Sequence, residues 1–128
     1  MAACVYIDES ETSHKEIYLG DHKDAIKIIR FIADDSNKKK FLIRCKAIFE
    51  NSTNRDIYEK YSDTVSAFKF KGSTNTRIYC KLQSGTPYKI ILTRFVEDKK
   101  SQALDKKLES IIKAISKINY DKFWKYKI

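Results

Sequence analysis

Glycine and proline are scarce, with three and one in 128 residues. So few chain breakers exclude long structureless connections and favour regular elements joined by short turns. The three glycines stand alone, which excludes a glycine-rich phosphate loop. Histidine is nearly absent: His14 and His22 both lie in the acidic half, which argues against a His-rich metal site or a Ser-His-Asp triad. Cys4, Cys45 and Cys80 are odd in number, far apart and without a C-x-x-C pair. They read as small core residues in a reducing compartment rather than a disulfide framework or zinc site. No apolar run approaches the ~18–20 residues of a membrane span, and the start of the chain lacks a secretory pattern. The expectation is a soluble, cytoplasmic protein without cofactor or metal, folded as a single domain over 1–128.

What the chain has is positive charge, unevenly placed. The net charge is +9, and residues 65–128 carry fifteen Lys/Arg against five Asp/Glu, while the first 64 residues balance to −1. A cationic surface gathered in one region is the footprint of a phosphate-backbone or acidic-protein partner.

The hydrophobic pattern predicts α+β architecture. Ala3–Ile7 is β-rich, the acidic, polar stretch 8–20 reads as a loop, and the acidic segment 8–24 has no assigned role. After Asp21, Ala25, Ile28, Ile29 and Ile32 follow helical spacing, and Asp34–Asn37 breaks that helix and can cap another. Phe41, Leu42, Cys45, Ile48 and Phe49 form the stripe of the second helix. From Val65 the period becomes two. Phe68 and Phe70 alternate with Lys69 and Lys71, a turn falls at Gly72–Asn75, and Arg77, Tyr79 and Lys81 alternate with Ile78, Cys80 and Leu82. Tyr88–Val96 is apolar enough for a central strand. Ser101 can cap a last helix carrying Leu104, Leu108, Ile111, Ile112, Ile115 and Ile118. The aromatic, basic tail after Asn119 is expected to pack onto the body. The order is β-α-α-β-β-β-α, an antiparallel sheet with its helices on one face.

On that arrangement the face away from the helices presents Lys69, Lys71, Arg77, Tyr79 and Lys81. No acid occurs between Thr64 and Val96. Cations facing cations repel across a strand pair, and a polyanion lying over them would relieve the repulsion. A solvated face with its charges fanned outward is the alternative.

Three stretches resemble the RelE/ParE superfamily of bacterial toxins, and its phage-related HigB-like branch most closely. They are Phe68-Lys69-Phe70-Lys71, Thr76-Arg77-Ile78-Tyr79-Cys80, and Ile90–Phe95 leading to Lys99-Lys100-Ser101-Gln102, and the match covers residues 65–115. The resemblance implies a RelE-like fold and the toxin of a type II toxin–antitoxin system. Its activity would be metal-independent cleavage of mRNA on the ribosome, neutralised by a cognate antitoxin protein. It implies a site in which Arg77 stabilises the phosphorane, Lys69 or Lys71 is the base, and Tyr79 (Tyr120 as second choice) positions or protonates. Lys81, Arg94, Lys99 and Lys100 would hold the RNA backbone. Two other functions remain open on the same fold: a ParE-like gyrase inhibitor and a catalytically silent RNA-binding protein.

Overall fold

The computed structural model describes residues 2–6, 15–51, 54–72, 75–85, 87–98 and 104–124. Its elements run β1 (Ala2–Tyr6), β2 (Lys15–Gly20), α1 (Ala25–Ala33), α2 (Asp35–Phe49), β3 (Tyr58–Lys60), β4 (Val65–Phe70), β5 (Asn75–Gln83), β6 (Tyr88–Asp98), α3 (Leu104–Ser116) and β7 (Phe123–Trp124). The strands form one sheet in the order β3-β4-β5-β6-β2-β1-β7. This is mixed α+β architecture, and no described helix is long and apolar enough to cross a membrane.

The helix pair forms as its spacing predicts. Asp34, in extended backbone, accepts from the Asn37 amide at 3.0 Å and so caps α2. The α2 stripe buries Phe41, Cys45 and Ile48. These join Ile28 of α1 and the strand residues Ile17, Phe68, Ile78, Cys80, Ile90 and Leu92 in one core against the first face of the sheet. The β4–β5 hairpin also follows the alternation, with Phe68 opposite Ile78 and Lys69 opposite Arg77. Strand β6 is central, paired antiparallel with β5 and parallel with β2.

Four expectations fail, the first being a purely antiparallel sheet, since β2–β6 and β1–β7 pair in parallel. The stretch expected as a loop contains β2, whose Ile17, Tyr18 and Leu19 are buried. Short strands β3 and β7 extend the sheet at its two ends. The helices, moreover, do not share one face. Val65, Ala67 and Tyr79 alternate with the first-face residues of β4 and β5, and they pack against Ile111 and Ile115 of α3. Beside them Tyr18, Ile91 and Tyr120 make a third cluster under the chain that follows α3. The second face carries an apolar strip of its own, and the amphipathic α3 buries its stripe there. Gly20 leaves the space that Tyr120 fills, since any side chain there would collide with the phenol. Of the tail expected to pack onto the body, Tyr120 is buried and Phe123 packs on that cluster, whereas Trp124 is 42% exposed.

A bulge between Tyr79 and Cys80 of β5 leaves Thr93 extra on β6, and its hydroxyl donates to the Tyr79 carbonyl at 2.9 Å. Beyond Leu92, β6 has no β2 residue beside it. There Asp24, at the head of α1, accepts from the Phe95 amide at 3.0 Å and from Arg94 Nε at 3.2 Å, which ties α1 to the strand.

Candidate functional site

The cations expected on one open face meet different fates. Lys69 and Arg77 lie side by side across β4 and β5 on the second face, at the end of the hairpin that α3 leaves partly uncovered. Lys71 lies just beyond, exposed, with its ammonium 3.7 Å from Asp56. With Asn75 and Thr76 these three cations line a hollow of about 270 Å³.

Tyr79 is fully buried, in the cluster under α3, so it cannot touch a ligand on the sheet surface. Lys81 is 7% exposed, and its ammonium donates to the Ser116 carbonyl at 2.8 Å. It therefore caps the C-terminus of α3 instead of offering charge to RNA. Arg94 is engaged by Asp24. Tyr120 lies in a different cluster, its hydroxyl buried against Gly20. Lys99 and Lys100 lie outside the described residues.

Two residues join the site that the strand pattern did not single out. Strand β3 pairs with β4, placing Glu59 opposite Ala67, and the Glu59 carboxylate accepts from the Lys69 ammonium. This pair is partly buried, at 30% and 16% side-chain exposure. Tyr61 follows β3, its ring 6.1 Å from that of Tyr79, and its hydroxyl accepts from Arg77 Nη1 at 3.3 Å. The cross-strand repulsion inferred from the missing acids is thus already answered within the fold. The acids come from outside the interval 65–95, Glu59 for Lys69 and Asp56 for Lys71. Lys69, expected as the base, is thus held by the Glu59 carboxylate. The signal for β3 is present in Tyr58-Glu59-Lys60-Tyr61, a short alternation after an Asn54–Asp56 turn in which the Asp56 amide donates to Asn54 Oδ1 at 3.0 Å.

Among the described residues Arg77 has no carboxylate within ion-pair distance, and its hydrogen-bond partner is a phenol. Burial works against its charge. The phenols of Tyr61 and Tyr79 and the Glu59 carboxylate outweigh that cost and hold its pKa above the usual guanidinium value. Burial is also the main reason the Tyr61 phenol is pushed up to about 12, with Arg77 opposing. Tyr61 therefore stays protonated at neutral pH. Among the described residues the cluster joins a carboxylate acceptor held by an ammonium, a planar cation outside ion-pair distance of any carboxylate, and a protonated phenol. Those are the parts needed to bind a phosphodiester and move protons at it. A scan of protein-family models matches none to this chain, and searches of curated proteins and of solved structures find no match.

Proposed function

We propose that the chain is a RelE/HigB-like toxin that cleaves messenger RNA without a metal, on the ribosome, and is held in check by an antitoxin protein. The observation that carries this reading is the Arg77 guanidinium at the lip of the hollow, which among the described residues has no carboxylate within ion-pair distance while Lys69, Lys71 and Lys81 are all engaged. The succession β2-α1-α2-β4-β5-β6-α3 supports it, with β2 taking the place expected of Ala3–Ile7.

In this mechanism the Glu59 carboxylate takes the proton of the ribose 2′-hydroxyl, and the 2′-oxygen attacks the adjacent phosphorus. Charge on the phosphorane is met by two parallel N–H donors of Arg77, whose fixed planar fork suits paired oxygens. The bond to the 5′-oxygen breaks, and the Tyr61 phenol supplies its proton. The products are a 2′,3′-cyclic phosphate and a 5′-hydroxyl. Lys69 keeps Glu59 oriented, and Tyr79 supports Arg77 from beneath.

Induced expression with mapping of cellular mRNA 5′ ends tests the reading. Wild type is expected to arrest growth and create new 5′-hydroxyl ends. Arg77→Ala should lower cleavage by about 10²–10³-fold, and Glu59→Gln by about 10²–10⁴-fold. Growth arrest with gyrase-linked DNA breaks and no new RNA ends would replace this reading with the gyrase inhibitor. No growth effect from any form would favour a silent RNA-binding protein.

A further inference from the structure

At the far end of β5 from Arg77 the first face of the sheet runs on past the end of α2. The helix stops at Phe49, and Asn51 turns away with a positive φ of 59°. Past that point a hollow of about 470 Å³ opens beside Leu82 and Ile90. Its floor is core: Ile48, Leu82 and Ile90 are 5%, 3% and 1% exposed. Its walls are the half-buried rings of Phe49, Tyr58 and Tyr88. Tyr58 is fixed by its hydrogen bond to Ser66 at 2.7 Å and by its ring contact with Phe68, centroids 5.2 Å apart.

The lining of the hollow contributes two cations, and the nearest acid is the exposed Asp63 beside Lys60. Lys15 is held over the end of α2, donating to the Ile48 carbonyl at 3.0 Å and to Asn51 Oδ1 at 2.7 Å. Lys60 stands on the opposite wall, 55% exposed, with only a 4.0 Å contact to the fully exposed Asp63. Among the described residues lining the hollow there is no carboxylate. An apolar, aromatic-walled recess in the size range of small-molecule sites, with a few polar groups gathered at its rim, selects a ligand by shape and head charge.

We infer that this hollow binds a small organic carboxylate with an apolar body, an aryl or medium-chain acyl acid. The body lies over Leu82 and Ile90 between the tyrosine rings, and the carboxylate faces Lys15 and Lys60. This site is separate from the Arg77 cluster, and its occupancy is independent of the RNA chemistry proposed there.

Titration of the full-length protein with decanoate and with naphthoate tests this, read by calorimetry and by NMR shifts of the Phe49, Tyr58 and Tyr88 rings. Saturable one-to-one binding is expected, with shifts centred on those rings. Decanol, which keeps the chain and loses the charge, should bind at least about tenfold more weakly. Lys60→Glu, an exposed change that leaves the walls intact, should weaken both acids by roughly two- to fivefold while the arrest of growth is unaltered. The acid that saturates names the body, chain or ring. Lack of saturation by either acid, shifts centred elsewhere, or decanol binding as tightly as decanoate would overturn the inference.

Discussion

Removing one oxygen atom separates the sequence-based role of Tyr79 from its place in the fold. The Tyr79 side chain is fully buried under α3, and its hydroxyl lies beside the Arg77 guanidinium without a hydrogen bond of good geometry. A buried hydroxyl without a partner costs about 1–3 kcal/mol of lost hydration. Its closeness to Arg77, whose charge it favours, recovers part of that. Tyr79→Phe keeps the ring that packs on Ile111 and Ile115 and deletes the stranded group, so it should stabilise the protein by about 1 kcal/mol. Unfolding entropy of about 2.1 cal/mol/K per residue over 128 residues amounts to roughly 0.27 kcal/mol/K. The melting temperature should therefore rise by about 4 °C. Thermal and urea denaturation followed by circular dichroism read the stability, and the 5′-end assay reads the chemistry. Cleavage should stay within about threefold of wild type. A loss of more than about 1 kcal/mol of stability, or a hundredfold fall in cleavage by a folded variant, would refute the reasoning and return the hydroxyl to the reaction.

Three further outcomes follow from the contacts. Burial opposes the Asp24 charge, but the Phe95 amide and Arg94 outweigh it and set its pKa below the ordinary 3.8. Its contribution is complete above pH ~4 and is lost as the pH falls through the depressed folded value. Asp24→Asn should cost about 1–3 kcal/mol at neutral pH and show less acid sensitivity in urea titrations at pH 2–5. Burial lowers the pKa of Lys81 from 10.5 in the fold, so the unfolded chain holds that proton more tightly. Stability from this group therefore rises between its lowered folded pKa and 10.5, and Lys81→Met should remove that part of the alkaline slope. Burial also raises the thiol pKa values of Cys45 and Cys80. In peptide mass mapping both should resist a thiol reagent at pH 8 in the native protein and react on unfolding.

Much of the local structure is legible in the chain. The spacing of Phe41, Cys45 and Ile48 marks the buried face of α2, and Asp34 announces its start. The alternation from Val65 to Leu82 with its turn at Gly72 is enough to set Lys69 beside Arg77. Strand β2 is hidden because it follows an acidic stretch and ends at Gly20, and β3 because its alternation is too short to stand out from a turn region. With β3 went Glu59 and Tyr61, and with them the half of the candidate site that balances Lys69 and partners Arg77.

Sequence by itself determined which side chains share a face along each strand or helix, because that follows from backbone periods of 2 and 3.6. It also determined that the excess positive charge lies in the second half. Only the tertiary structure decided which face of the sheet each helix covers, since both faces offer apolar strips and periodicity is blind to the choice. That choice puts Tyr79 under α3, turns Lys81 into a helix cap, and leaves Arg77 at the rim. The physical reason is that burial and charge pairing depend on residues distant in the chain, and a short segment cannot register what will be packed against it.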